Sequence, residues 1–370
     1  MNKLKFIFKI FFLNFTLLFF FIFILELIFG NWFKDISWGN TLRSERSKEY
    51  QYQVKFDKEN YNFKYKKNSI GFRGNEEDPK NLEVILIGGS TTNERFTPLE
   101  LTISGQLNKK LIDDGLDIKI FNGGVDGQST VGHIVNFKKW FPNISNFKPK
   151  VIMYYIGINE RFYFNFNPNP LNFYTDKFNT PHDFENMERN DFIGRWSDYI
   201  KNNSFIASKA RIIKFKYFKK KVRSSDYSNF SLTYNLNDTI KGKFISQDQA
   251  DSYFNLNELI TKDKNDFSSS LTKRLKHLND LTKEIGATPI FINQVMYNGQ
   301  GNEVMYYTNY IMREFFKKNK DIIFIDLAKN ITLDIRDFYD EFHTKPSGSK
   351  KIADTIYPLL KSSLSKILLP

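Results

Sequence analysis

The chain has 370 residues, no cysteine and a formal net charge of +13. That length allows a substantial buried core, and the lack of cysteine excludes disulfides and thiolate-held metals. The positive balance could suit a nucleic acid or an anionic surface, but lysine, asparagine, phenylalanine and isoleucine are abundant throughout and no recognisable nucleic-acid module accompanies them, so no nucleic-acid partner is expected. Four histidines, at 133, 182, 277 and 343, have no spacing suited to a metal, and no metal or cofactor is expected.

The first stretch differs from all that follows. Ile10 to Phe29 is a mostly apolar run interrupted by Asn14, Thr16 and Glu26. It has the roughly twenty residues a helix needs to cross a bilayer. Lys3, Lys5 and Lys9 precede it, which places the N-terminus in the cytoplasm and exports the rest. Lys34, Arg43, Arg46 and Lys48 follow and oppose that orientation, with Asp35, Glu45 and Glu49 among them. The rival reading is a cleaved signal peptide, but Phe29-Gly30-Asn31-Trp32 offers no small-x-small cleavage site. Residues 1–33 are therefore read as a cytoplasmic tip and an uncleaved transmembrane anchor, with Trp32 and Phe33 at the interface. The expectation is a single-pass membrane protein whose main domain is periplasmic or extracellular.

Residues 34–66 show no clear periodicity and read as a stalk, leaving 67–370 as the domain proper. Asn68-Ser69-Ile70-Gly71-Phe72-Arg73-Gly74 is a turn signal. Val84-Ile85-Leu86-Ile87 reads as a buried parallel strand, and Gly88-Gly89 turns the backbone before Ser90. The strand's C-terminal end is where open α/β sheets bind ligands. Ser90 there could be a nucleophile, an anion-binding donor or a helix N-cap.

Apolar positions at Leu99, Ile103, Leu107, Leu111 and Ile112 mark a helix from Pro98 to about Asp114, ended by Gly115. Ile118 to Phe121 is a second strand, running into Asn122-Gly123-Gly124-Val125-Asp126-Gly127-Gln128-Ser129. Three glycines after a strand suit either an anion-binding nest or an ordinary βα turn. A helix over Thr130–Phe141 and a third strand over Val151–Ile156 follow, the strand closing on Gly157-Ile158-Asn159-Glu160. Asn159 could be a turn residue or an amide donor. Strands ending in glycine-containing polar loops, with helices between, signify a parallel sheet with right-handed crossovers.

That rhythm lapses over about 161–270, read as an insertion in the domain. Its basic run from Lys214 to Lys221 reads as a solvated helix face or, if functional, a surface for an acidic glycan or anionic lipid headgroups. A helix over Leu271–Ile285, a strand over Thr288–Gln294, a helix over Tyr306–Lys318 and a strand over Ile322–Asp326 resume the pattern. Asp340-Glu341-Phe342-His343-Thr344-Lys345-Pro346-Ser347-Gly348 precedes a last helix from about Ser349 to Leu360. The fold class is α/β: a three-layer α/β/α sandwich around a mostly parallel, flavodoxin-like five-stranded sheet, preceded by one transmembrane helix.

A serine nucleophile needs a base, and the base needs a group to set its tautomer. Asp340 and His343 lie three apart, so a turn could put both side chains on one face; taken alone, such a pair is better explained as a surface contact of no significance. Three donors stand at strand ends that open on one edge of a parallel sheet: the Ser90 and Gly127 backbone N–H groups and the Asn159 amide. They could serve a developing oxyanion.

Gly-Gly-Ser-Thr at 88–91, Asn122-x-Gly124-x-x-Gly127, Gly157-x-Asn159-Glu160 and Asp340-x-x-His343 resemble, in order, the four blocks of the SGNH/GDSL hydrolase superfamily. Asn68–Gly74 resembles the segment that often precedes the first block in membrane-anchored bacterial members, and His343–Gly348 resembles the run after the family's histidine. The resemblance implies Ser90 as nucleophile, His343 as base, Asp340 as its orienter, and an oxyanion hole of Ser90, Gly127 and Asn159. Two positions depart from the pattern: Gly89 and Glu160 stand where aspartates are usual. The spacing is not Gly-x-Ser-x-Gly, which argues against an α/β-hydrolase elbow. The implied activity is an ester hydrolase acting outside the cytoplasm, deacylating or deacetylating an envelope or secreted glycan. An O-acyltransferase with the same triad, passing the acyl group to a sugar, and a non-catalytic glycan-binding or assembly protein are the alternatives. The expected partners are an acylated carbohydrate or other ester, and the membrane through the N-terminal helix.

Overall fold

The computed structural model describes residues 2–30, 46–164, 231–235, 246–253, 267–297 and 303–368, and isolated positions at 32, 196, 200, 203–207, 209 and 210. Most of the stretch expected to be an insertion lies outside the described residues. The chain forms two compact units, one of Met1–Ile36 with Glu188–Ser228, the other of Ser37–Met187 with Asn229–Pro370.

The first unit contains helix α1 (Asn2–Phe29). Its portion Lys5–Phe29 has a mean hydropathy of 2.5 and is long enough to cross a membrane. Its side chains, from Lys5 on, are exposed over most of their length.

The second unit is built on five strands: β3 (Val84–Gly88), β4 (Ile120–Gly124), β5 (Val151–Ile156), β7 (Thr288–Asn293) and β8 (Ile323–Ile325). They run parallel in the order β4-β3-β5-β7-β8. This order reverses direction between β3 and β5, which opens a crevice beyond their C-terminal ends.

Alternate residues go to opposite faces. Ile85, Ile87, Ile152 and Tyr154 pack toward helices α4 (Thr130–Lys139), α6 (Phe267–Glu284) and α7 (Glu303–Lys318). Val84, Leu86, Val151 and Met153 pack toward α3 (Ile103–Asp113) and α9 (Pro346–Leu368). The result is the expected three-layer α/β/α sandwich. Three short helices, α2 (Ser90–Asn93), α5 (Gln247–Tyr253) and α8 (Leu327–Asn330), lie between these elements in the chain. Helix α3 starts later than its pattern suggested because Thr102 caps it, its hydroxyl accepting from the Gly105 N–H at 3.1 Å.

The stalk expectation does not hold for the described part of residues 34–66. β1 (Lys48–Phe56) and β2 (Glu59–Lys67) form an antiparallel hairpin, and β6 (Ser231–Asn235) pairs parallel to β1. Strand β1 alternates buried and exposed along its whole length. Tyr50, Tyr52, Val54 and Phe56 line the buried face, so the period of two was present but written in aromatics between polar residues. The turn at Asp57-Lys58 uses a left-handed φ of 52° at Asp57, a conformation aspartate tolerates.

A second difference lies in β4. Gly123 and Gly124 belong to the strand rather than to a nest after it. A Cβ on Gly124 would stand 2.2 Å from the Asn93 amide nitrogen, so glycine here permits contact with the turn that carries Ser90.

The hairpin makes a checkable claim. Tyr52 is fully buried and touches the Phe63, Tyr65 and Phe96 rings. Tyr52→Ala is expected to destabilise the folded chain by about 3–5 kcal/mol in denaturant unfolding, whereas a stalk residue would cost almost nothing.

Candidate active site

Ser90 follows β3 and opens the four-residue helix α2. The N-cap of that helix is Gly89, not Ser90. Gly89 has no room for a side chain: a Cβ there would lie 2.3 Å from Asn159 Nδ2 and 3.1 Å from the Gln128 carbonyl. The capping reading of Ser90 is thereby replaced, and its hydroxyl is committed elsewhere.

It meets His343. Ser90 Oγ lies 2.7 Å from His343 Nε2, and His343 Nδ1 lies 2.6 Å from Asp340 Oδ2. Asp340 and His343 sit in a tight loop before α9, not on a helix. Asp340 Oδ1 accepts the N–H groups of Phe342 at 3.0 Å and His343 at 2.7 Å, which fixes the three-residue spacing. Burial pushes the Asp340 carboxyl up, but the His343 ring and these two amides outweigh it and hold the group below its ordinary value. The Tyr339 ring lies almost parallel to the imidazole, 5.5 Å away at 4°.

The three expected donors end on neighbouring loops. Gly88 is in register with both Gly124 and Tyr155, so the loops after β3, β4 and β5 leave the same sheet edge together. Asn159 Nδ2 donates to the Gln128 carbonyl at 2.8 Å, beside Gly127, which takes a left-handed φ of 81°. Among the described residues, neither the Ser90 nor the Gly127 N–H is spent on an acceptor within the chain.

Several residues that hold these loops were given no such role from the sequence. Glu160 is buried and accepts the Thr130 N–H at 2.6 Å, the Thr130 hydroxyl at 2.9 Å and Arg274 Nη2 at 2.9 Å. Arg274, itself fully buried, also donates through Nε to Thr130 Oγ1 at 2.7 Å. This pair locks the Asn159 loop against the start of α4. The signal was available: Arg274 falls between Leu271, Leu275 and Leu278, on the apolar face of a helix, where a charge needs a partner.

The Asn68–Gly74 segment acts at a distance. Its Arg73 donates to the carbonyls of Asn93 at 2.5 Å, Glu94 at 3.0 Å and Thr97 at 2.9 Å, clamping the chain just after Ser90. Lys67 Nζ donates to the Gly124 carbonyl at 2.6 Å. Glu94, also buried, accepts the Ile103 N–H at 2.7 Å and the Ser349 hydroxyl at 2.5 Å. Burial pushes its carboxyl up to about 8 against those hydrogen bonds and the nearby Arg73 charge. The hairpin reaches the His343 loop as well: Lys345 Nζ meets Asp57 Oδ2 at 2.6 Å.

No family model matches this sequence, and no curated protein matches it. Solved structures do show a similar course of the chain. An α/β hydrolase from the metagenome of Lake Arreo is 11% identical with a TM-score of 0.40, covering 75% of this chain and 94% of its own. A variant of Axe2, an acetyl xylan esterase from Geobacillus stearothermophilus, is 12% identical at a TM-score of 0.38, covering 75% and 93%. A GDSL-like lipase of Bacteroides thetaiotaomicron is 11% identical at 0.35, covering 78% and 90%.

Two outcomes follow from the buried charges. Arg274→Met strands the Glu160 carboxylate without its cation and is expected to cost about 3–5 kcal/mol in denaturant unfolding. Glu94 binds its proton more tightly when folded, with a value raised from 4.5 to about 8. Stability is therefore lost as pH rises through that window. Glu94→Gln is expected to flatten this decline, measured by thermal melts across the same pH range.

Proposed function

We propose that the chain is a serine esterase of the SGNH/GDSL type. The observation that carries this reading is the continuous hydrogen-bonded chain from Ser90 Oγ through the His343 ring to Asp340, at 2.7 and 2.6 Å. Ser90 Oγ attacks the ester carbonyl while His343 Nε2 takes its proton. Asp340 holds Nδ1–H and balances the imidazolium that forms. The Ser90 N–H, the Gly127 N–H and the second N–H of the Asn159 amide receive the oxyanion. His343 then gives its proton to the leaving alcohol, and a water activated by the same imidazole releases the acid from acyl-Ser90. Asp340 is the orienting group and does not itself take the proton.

In this reading the substrate is an acylated, most simply acetylated, carbohydrate of the envelope or a secreted polysaccharide. Helix α1 anchors the chain in the membrane. Lys3, Lys5 and Lys9 keep the N-terminus in the cytoplasm and so place the catalytic unit outside it.

With the full chain in detergent and a chromogenic acetyl ester, Ser90→Ala is expected to lower kcat by at least about 10⁴. An unchanged rate in a folded variant would discard the assignment. Asn159→Ala is expected to cost about 10²–10³ in kcat. Acetate release that is not diverted by an added polysaccharide acceptor separates hydrolysis from acyl transfer.

A further inference from the structure

We propose that Tyr339 is a positioning residue for His343, held in place by the buried aromatic face of the β1–β2 hairpin. This deepens the esterase reading and rests on Ser90, His343 and Asp340 as its catalytic chain.

Ser90 and Asp340 engage the His343 ring at its two nitrogens. Hydrogen bonds at a ring's edge leave its tilt to be set by what it packs against. Two aromatic rings meet the imidazole. Tyr339 lies parallel to it, 5.5 Å away at 4°, and Phe342 lies 4.5 Å away at 52°. The Tyr339 N–H also donates to the His343 carbonyl at 3.1 Å, and Phe338 pairs with Thr344 just outside that bond. The backbone thus brings the phenol and the imidazole to facing positions of one small loop. Tyr339 is backed in turn from outside the loop. Phe56, the last residue of β1, is buried and lies 5.5 Å from it at 31°. Phe96, in the chain that follows Ser90, meets it edge-on at 6.1 Å and 73°. Asp57, next after Phe56, takes the nearly buried Lys345 ammonium at 2.6 Å, just past the histidine.

The same hairpin reaches the other half of the site. Tyr65 Oη donates to Asn93 Oδ1 at 2.9 Å, and Tyr52 Oη accepts from Arg95 Nη2 at 3.3 Å. Asn93 Nδ2 and Arg95 Nη1 both end on the Asp126 carboxylate, at 2.7 and 3.1 Å, beside Gly127. One wall of aromatic side chains therefore supports the histidine loop at one end and the loops of Ser90 and Gly127 at the other. Reacting groups must be held to within about 0.5 Å by neighbours whose own side chains are locked. Large buried rings supply such neighbours. The small sheet lies outside the sandwich, and its contacts assign it this task.

With the full chain in detergent and a chromogenic acetyl ester, Tyr339→Leu is expected to lower kcat about 10–100-fold while KM stays within about twofold. Tyr339→Phe keeps the ring and is expected to hold kcat within about threefold of the parent. Phe56→Leu withdraws the backing ring and is expected to lower kcat at least about threefold, which decides the matter if Tyr339→Leu does not fold. Leu364→Ala, buried near the far end of α9, serves as the control: it is expected to lower stability and leave kcat unchanged. A control that loses as much kcat as Tyr339→Leu overturns the proposal, and so does a folded Tyr339→Leu chain at the parental rate. A second readout does not need turnover. The chain has four histidines, so in a carbon-13-labelled sample the His343 Cε1–H signal is assigned by its loss in His343→Gln. It is expected to move downfield in Tyr339→Leu, where the shielding ring is gone, and to stay in place in Tyr339→Phe. A parent chain without turnover overturns the esterase reading. An unmoved His343 signal in Tyr339→Leu overturns the positioning role whether or not the parent turns over.

Discussion

Glu94 ties together the two halves of the candidate site. Ser90 and His343 stand 253 positions apart, yet their side chains must stay within one hydrogen bond. The Glu94 carboxylate reaches Ser349, whose hydroxyl also contacts Thr344 beside His343. The same residue follows α2 directly, with a left-handed φ of 43°. A single side chain thus spans the turn that bears the serine and the loop that bears the histidine. Its burial makes the tie costly to break, because either partner left alone would be an unpaired polar group in the core.

Around that tie the chain uses its buried cations on backbone carbonyls. Arg73 serves three carbonyls after Ser90, and Lys67 serves one on β4. Arg274 and Lys345 instead meet carboxylates. Burial depresses Arg73, and only the acidic and phenolic groups around it resist that. These are charges taken out of water to hold loops, and they explain why segments far from the serine in sequence matter to its geometry.

Much of the architecture was legible because hydrophobic strands buried on both faces read as unbroken apolar runs. Val84–Ile87 and Val151–Ile156 are of this kind, and the loops after them could be placed on one edge without coordinates. The Asp340–His343 spacing was legible too, although its cause, an aspartate accepting two amides of its own loop, was not. The missed buried charge contacts share one property: the partner lies far along the chain. Nothing local to Glu160 indicates Arg274, and nothing local to Glu94 indicates Ser349. The hairpin was missed for a different reason. Its buried face is written in tyrosines, which read equally well as surface residues until the opposing rings are known. Gly123 and Gly124 looked like loop residues because glycine commonly marks loops, but here it marks the close passage of β4 past the Asn93 backbone.

The small sheet bears on how the chain is made. β1 is its central strand, flanked on one side by β2 from the next few residues and on the other by β6, first reached at Ser231. During synthesis the hairpin emerges early with one edge unpaired, and that edge stays open until well over half the chain has been made. An open strand edge is a template for pairing with another molecule. Long-range parallel pairing is slow because loop closure precedes its reward. The order of synthesis therefore makes the interval between β2 and β6 the period when this chain most needs shielding from its own copies.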